Sequence, residues 1–233
     1  MKKTIIGIFA VAALTASQAL AITVTVSRPA GYATGEGGEF NITPVFSGGS
    51  YAPTVLVGSG YETFCLDAAV NIGPLPANYN ATLATSPVSV GTAWLYYQFA
   101  TGTLAGYAYT SFAPTAILEN GNPYTVTARA ASAYGLQNAI WLLEGDVAPF
   151  IDAAAAAPWL SLVEGATSKT FAQLSEPNQN STFQVDRVVL TDANGAPVQN
   201  MLALVPDGGS AVMLLGMALG GLALVSRRIR VRA

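Results

Sequence analysis

An uncharged apolar segment near the C-terminus places the strongest constraint on how this chain can fold. Residues 208–225 contain no charged side chain. As a helix rising about 1.5 Å per residue, a segment of this length covers roughly 27 Å, which just spans the hydrocarbon core of a bilayer. A basic tail follows at once and consists of Arg227, Arg228, Arg230 and Arg232. Because basic flanks stay in the cytoplasm, we predict a transmembrane helix with a stop-transfer tail and the preceding chain on the opposite side of the membrane.

The N-terminus carries the features of an export signal. Lys2 and Lys3 precede an apolar run at residues 4–14, and Ala19-Leu20-Ala21 has the small-x-small pattern of a cleavage site. A retained membrane anchor would need a longer apolar run. We therefore predict a signal peptide at residues 1–21 and an exported mature chain that begins at Ile22.

Composition excludes several classes of function for the region between these signals. Residues 22–207 hold four basic residues against all 13 acidic ones, so nucleic acid and anionic lipid are poor partners. The sequence contains no histidine, which excludes Ser-His and Cys-His nucleophilic catalysis and histidine-based metal sites. We therefore predict no catalytic residues, no metal and no cofactor, and we expect that the protein is not an enzyme.

Hydrophobic periodicity predicts strands towards both ends of the mature chain and helices in its centre. The predicted strands cover residues 22–27, 39–46, 61–70, 182–190 and 198–205, with Asn194-Gly195 as the turn of a closing hairpin. The predicted helices cover residues 92–100, 127–144 and 153–157, the last broken by Pro158. This order indicates an α+β fold, namely a β-sandwich or barrel with a helical insertion.

Cys65 is the single cysteine of an exported chain. Because exported proteins usually pair their cysteines, this thiol is buried and inert, bonded to another molecule, or committed to other chemistry. Gln137 is also unusual, since it shares one predicted helix face with Leu136, Ile140 and Trp141. A buried amide without a partner costs roughly 1–3 kcal/mol, so Gln137 needs a partner, and a backbone group is the common one.

A motif precedes the apolar C-terminal segment. Val205, Pro206 and Asp207 are followed by Gly208-Gly209-Ser210, the apolar run and the arginine tail. This order resembles the PEP-CTERM class of sorting signals in its Val-Pro-Asp variant. The resemblance covers residues 205–233 and implies an exosortase-type processing protease as partner. It also implies a precursor held in the inner membrane by its C-terminal helix, and then a location at the cell surface or in the extracellular matrix.

Two motifs of the middle region resemble the bacterial surface thioester domain. Phe64-Cys65-Leu66-Asp67 matches the aromatic-Cys segment of that family. Leu136-Gln137-Asn138-Ala139-Ile140-Trp141 matches its Thr-Gln-x-Ala helix, with Leu136 in place of Thr. The resemblance implies that Cys65 is the thiol and Gln137 the acyl donor of an internal thioester, within a domain at residues 22–204. It also implies an adhesin-like function, in which the protein attaches covalently to an amine on a surface target. The alternative function is that of a structural matrix protein with an inert buried thiol.

Two weaker patterns also have ordinary structural explanations. Glu144 and Asp146 could mimic a hydrolase acid pair, although charges at a helix end are more often solvated. Five tyrosines could line a sugar-binding surface, although core packing explains most of them equally well: Tyr96, Tyr97, Tyr107, Tyr109 and Tyr124.

Overall fold

A computed structural model of the chain describes residues 22–35, 37–43, 60–84, 86–119, 121–179 and 183–204. The predicted signal peptide at residues 1–21, the sorting motif at 205–207, the apolar segment at 208–225 and the arginine tail lie outside the described residues. Within the described ranges, no helix combines the length and the apolar character that crossing a membrane requires.

Ten strands and four helices form the described part of the chain. The strands are β1 (Ile22–Ser27), β2 (Ala33–Thr34), β3 (Gly37–Gly38), β4 (Phe40–Thr43), β5 (Tyr61–Thr63), β6 (Ala77–Ala84), β7 (Pro114–Glu119), β8 (Asn122–Thr127), β9 (Val185–Thr191) and β10 (Pro197–Leu204). The helices are α1 (Val90–Ala100), α2 (Ala128–Leu143), α3 (Ala153–Thr167) and α4 (Phe171–Leu174). Helices and strands are mixed, as predicted, and all four helices lie between β6 and β9 in the sequence.

The main sheet has six strands in the order β10-β9-β6-β1-β4-β5, and every neighbouring pair is antiparallel. It curls into a half-barrel rather than forming two stacked layers. Immediately after β5, Cys65 pairs with Met201 of β10 as an isolated antiparallel bridge. The Leu66 N–H also donates to the Asn200 carbonyl at 2.8 Å. The two edges of the sheet therefore meet at a seam, and Cys65 lies in that seam.

Helix α2 covers nearly the whole of the predicted helix at residues 127–144, and both of its ends carry terminal signals. The Thr127 hydroxyl accepts a hydrogen bond from the Ala130 N–H at 3.0 Å, which caps the first turn. Gly145 follows the last turn with a φ of 83°, a conformation that favours glycine. Most of the helix is buried, because it packs against α3 on one side and the half-barrel on the other. The position of α2 therefore places one of its side chains at the seam between the two edges of the sheet.

The predicted strand at residues 61–70 is wrong beyond Thr63. The Thr63 hydroxyl donates to the Leu202 carbonyl at 2.6 Å and accepts from the Leu202 N–H at 3.0 Å. The Thr63 side chain thus takes the place of a backbone group in the hydrogen bonding between the two sheet edges. After the bridge at Cys65 the chain leaves the sheet and forms a loop.

The predicted break at Pro158 is also wrong, since α3 continues through this residue to Thr167. Proline removes one helical hydrogen bond. Ala156, Trp159 and Val163 are buried, and they recur at the spacing of one helix face. Packing of this face, together with the Asp152 N-cap, offsets the lost bond and keeps the helix intact.

Candidate functional site

Cys65 is buried at the seam, with 3% of its surface exposed. Phe64 and Leu66 pack into the core that includes the helices, so the alternation of the extended chain turns Cys65 to the other side, into the half-barrel core with Trp141. Burial is the main cause that raises the pKa of the Cys65 thiol to about 12. The thiol therefore keeps its proton at neutral pH.

Gln137 projects from α2 onto the backbone of Cys65, although 72 residues separate them. The Cys65 N–H donates to Gln137 Oε1 at 3.0 Å, and Gln137 Nε2 donates to the Cys65 carbonyl at 2.7 Å. The Gln137 side chain is fully buried. The partner of the buried amide is thus a backbone group, and that group belongs to the single cysteine.

Gly37 and Gly38 let the backbone approach Gln137 closely. A Cβ atom on Gly37 would lie 2.4 Å from Gln137 Cγ and 2.8 Å from the ring of Trp141. The Gly38 N–H donates to Gln137 Oε1 at 3.5 Å, from a residue with a φ of 112°. Two backbone N–H groups, those of Gly38 and Cys65, therefore converge on one amide oxygen. Such a pair can stabilise negative charge that develops on that oxygen.

The loop that follows the cysteine is held by side chains from two distant elements. Gln199 of β10 donates to the carbonyls of Asp67 and Val70 at 2.9 and 2.7 Å and accepts from the Asp67 N–H at 3.2 Å. The Asp146 carboxylate, just beyond α2, accepts from the Ala68 N–H at 2.8 Å. The loop is therefore fixed to the same helix that carries Gln137.

Glu144, the other member of the predicted acid pair, has a different set of partners. Its Oε1 accepts from the Ser89 N–H at 2.9 Å, and its Oε2 lies 3.6 Å from the Arg187 guanidinium. Glu144 and Asp146 thus bond to separate elements, and both have structural roles. No group of three or more Cys, Asp or Glu side chains is placed to hold a metal ion in the ranges that the structure describes.

A buried ion cluster lies beside the site and consists of Arg129, Glu39 and Glu62. Arg129 lies 2.7 Å from a carboxylate oxygen of each glutamate. Its guanidinium also stands 3.9 Å from the ring centre of Tyr32. The Tyr107 hydroxyl donates to Glu39. All three charged side chains are almost wholly buried, so the cluster is a group of charges that must compensate one another.

Each member of the ion cluster is close in sequence to an atom of the site. Glu39 follows Gly38, Glu62 precedes the cysteine by three residues, and Arg129 precedes the glutamine by eight residues. The cluster therefore joins the three segments whose atoms meet at the Gln137 amide. No local sequence pattern indicates the cluster, because Arg129 lies 67 residues from Glu62 and 90 residues from Glu39.

Two carboxyl groups share one guanidinium in this cluster. Their pKa values therefore decide whether one of the two carboxyl groups is protonated at neutral pH. Burial is the largest cause that raises the pKa of Glu62 to about 8, and the nearby Glu39 carboxylate adds to it, while Arg129 opposes both. Burial raises the pKa of Glu39 as well. The folded protein thus holds a proton in the cluster at neutral pH that the unfolded chain releases near 4.5.

Because the folded protein binds this proton and the unfolded chain does not, we predict that the stability of the domain falls as the pH rises. A carboxyl whose pKa is raised on folding contributes stability that is fully present below about 4.5 and is lost as the pH rises through about 8. We expect the free energy of unfolding, measured with denaturant between pH 5 and pH 8, to fall by up to about 1.4 kcal/mol per pH unit for one proton. Burial also raises the pKa values of Asp146 and Asp186, so these groups add to the pH dependence of the free energy of unfolding. The contribution of Glu62 is the part of this pH dependence that Glu62→Gln removes. An unchanged slope in that variant would contradict the assignment.

A cavity of 470 Å³ adjoins the buried thiol. Cys65 and Trp141 contribute to its lining, together with Phe40 and the polar side chains of Arg28 and Asp67. The remaining wall comes largely from the loop after the cysteine. The cavity therefore connects the site to the surface of the domain.

The predicted sugar-binding surface is wrong for most of its tyrosines. Tyr96 and Tyr107 are buried, and Tyr97 and Tyr109 are partly buried against the same core. Only Tyr124 of this group is well exposed, on β8. Core packing around the helices accounts for the other four.

Comparison with known families identifies the C-terminal segment. Residues 205–229 match the VPDSG-CTERM motif, with Gly208 and Gly209 where the letters of the motif read Ser and Gly. The match supports a PEP-CTERM-like exosortase sorting signal. It indicates an exported protein that is processed by an exosortase from a membrane-anchored precursor. No curated protein and no solved structure matches the chain.

Proposed function

We propose that this protein is a cell-surface or matrix protein whose domain at residues 22–204 contains an internal thioester between Cys65 and Gln137. The thioester would attach the protein covalently to an amine on a surface target. The proposal rests mainly on one observation: the Gln137 amide is buried and hydrogen-bonded to both backbone groups of the single cysteine.

The chemistry requires the thiol to replace the nitrogen of the amide. Cys65 Sγ attacks Gln137 Cδ, a C–S bond forms, the C–Nε2 bond breaks, and nitrogen leaves as ammonia with the thiol proton. Negative charge develops on Oε1, the oxygen on which the N–H groups of Cys65 and Gly38 converge. Well-oriented intramolecular reactions reach effective molarities of about 10⁵–10⁸ M, so a fixed strand and a fixed helix supply most of what this step needs.

Burial then protects the product. Once ammonia has diffused away, the reverse reaction has no nucleophile, and the packing of the seam keeps water from the thioester. An amine that enters through the cavity would form an amide with Gln137 Cδ and release the Cys65 thiol. Each domain reacts once, so we propose a covalent binder and not an enzyme.

Intact mass measurement of the purified protein tests the proposal. We expect a mass one ammonia below that of the processed sequence, and Cys65→Ala should restore the full mass. Incubation with methylamine should add one methylamine to the wild-type protein and expose one thiol to alkylation. The variant should gain neither.

A second candidate function is a structural matrix protein in which Cys65 is inert. The raised pKa of the thiol and the hydrogen bonds made by both the oxygen and the nitrogen of the Gln137 amide favour this alternative. The same measurement separates the two candidates. A full mass in freshly purified protein, with a thiol that titrates only on unfolding, would exclude the thioester.

A further inference from the structure

The cavity beside Cys65 contains hydrogen-bond donors that the domain itself leaves unused. Arg28 lines the cavity, and its guanidinium is held above the ring of Phe40 at 4.8 Å and donates to the Gly35 carbonyl at 3.2 Å. Among the described residues, no carboxylate lies within ion-pair distance of Arg28, whereas Arg129 and Arg187 both have such partners. Arg28 is therefore a preorganised and accessible cation in an acidic domain.

Trp141 supplies a second unused donor. It lines the same cavity with 3% of its surface exposed, and its indole N–H is buried without an acceptor in the part of the chain that the structure describes. A buried donor without a partner costs roughly 1–3 kcal/mol, so it calls for an acceptor that a ligand or water supplies.

The acceptor groups of Asp67 and Gln199, which also line the cavity, are largely engaged by the domain itself. Asp67 Oδ2 accepts from the backbone N–H and the side-chain Nδ2 of Asn200, at 3.2 and 2.7 Å. The Gln199 amide oxygen accepts from two backbone N–H groups, and its nitrogen donates to two carbonyls. The donors that remain for a ligand are therefore the indole N–H of Trp141 and the guanidinium of Arg28, whose positive charge has no ion-pair partner among the described residues. A carboxylate is the ligand group that matches these donors.

We infer that this cavity is an acceptor-substrate pocket that selects primary amines carrying a carboxylate, with Arg28 as the residue that binds the carboxylate. The inference rests on the proposed thioester for its covalent step. In that step the amine nitrogen attacks the thioester carbonyl, a C–N bond forms, the C–S bond breaks, and the amine proton passes to the sulfur. Arg28 fixes the anionic end of the substrate so that its amine reaches the thioester carbonyl at Gln137 Cδ.

Two amines of similar length test the selectivity. The rate of thioester loss, followed by intact mass, should be about tenfold faster with β-alanine than with propylamine, the size of one charge-assisted hydrogen bond. Arg28→Gln should abolish this preference. Lys169→Gln makes the same change in net charge at an exposed position outside the cavity, and it should leave the preference unchanged. Equal preference in wild type and Arg28→Gln would overturn the inference while the thioester stands.

A binding measurement keeps the inference testable if no thioester forms. In ¹⁵N-labelled Cys65→Ala protein, we expect propionate to shift the indole N–H resonance of Trp141, assigned with Trp141→Phe. The resonances of the other two tryptophans, Trp94 and Trp159, serve as internal references. Adding Arg28→Gln should remove the shift. A Trp141 resonance that does not respond to propionate, or that responds equally without Arg28, would refute the pocket independently of the thioester.

Discussion

Replacing Arg129 with methionine is expected to cause a large loss of stability. The change leaves the Glu39 and Glu62 side chains buried and facing each other without their shared cation. Removing one partner of a buried ion pair costs about 3–5 kcal/mol, because the remaining charge stays uncompensated. Denaturant unfolding at pH 7 measures the loss. Because the cluster joins the segments of the site, we also expect Arg129→Met to abolish the loss of ammonia.

Arg187 provides the matched control for Arg129. Its ion pair with Glu144 is 3.6 Å long, and 24% of the Arg187 side chain is exposed. The pair is long and partly exposed to solvent, and pairs at the surface contribute about 0–1 kcal/mol, so Arg187→Met should cost much less than Arg129→Met. Adding Glu39→Gln and Glu62→Gln to Arg129→Met should recover part of the lost stability, because both uncompensated carboxyl groups are then gone. Equal losses for Arg129→Met and Arg187→Met would show that the cluster is not a compensated charge group.

Features that depend on neighbouring residues could be predicted from the sequence. The alternation of β1 and the helical pattern of α2 are local, and the structure confirms both elements. The hairpin of β7 and β8 was missed, although Asn120-Gly121 is a recognised turn pair.

Features that depend on contacts between residues far apart in the sequence could not be predicted. Strand β5 stops at Thr63 because of bonds to Leu202, a residue 139 positions away. The sequence also could not show that Glu39 is buried, because a glutamate is almost never fully buried unless it is paired, and its partner Arg129 lies 90 residues away. The pairing of Cys65 with Gln137 is the exception. The single cysteine of an exported chain has few possible partners, and the resemblance implies Gln137. The structure places the Gln137 amide in hydrogen-bond contact with the Cys65 backbone, and the thioester itself stays a prediction.

Gly37→Ala is expected to prevent thioester formation without removing either reacting side chain. The added methyl group would lie 2.4 Å from Gln137 Cγ and 2.8 Å from Trp141, too close for any ordinary contact. The conflict must displace Gln137, the ring or strand β3. A displacement of about 1 Å at a reacting group can cost roughly 100-fold in rate. Intact mass should therefore show the full mass in freshly purified Gly37→Ala protein, with ammonia lost slowly or not at all.

Gly91→Ala separates this effect from general overcrowding. The new Cβ atom on α1 would lie 2.8 Å from a methyl carbon of Leu143, so this variant is also overpacked, but away from the Cys65–Gln137 contact. Overpacking of a core costs typically about 1–3 kcal/mol, and both variants should lose stability to that extent. Only Gly37→Ala should lose the mass deficit, because only its methyl group contacts the acyl donor. A full ammonia deficit in Gly37→Ala, formed at the wild-type rate, would mean that close approach of the β3 backbone does not position Gln137.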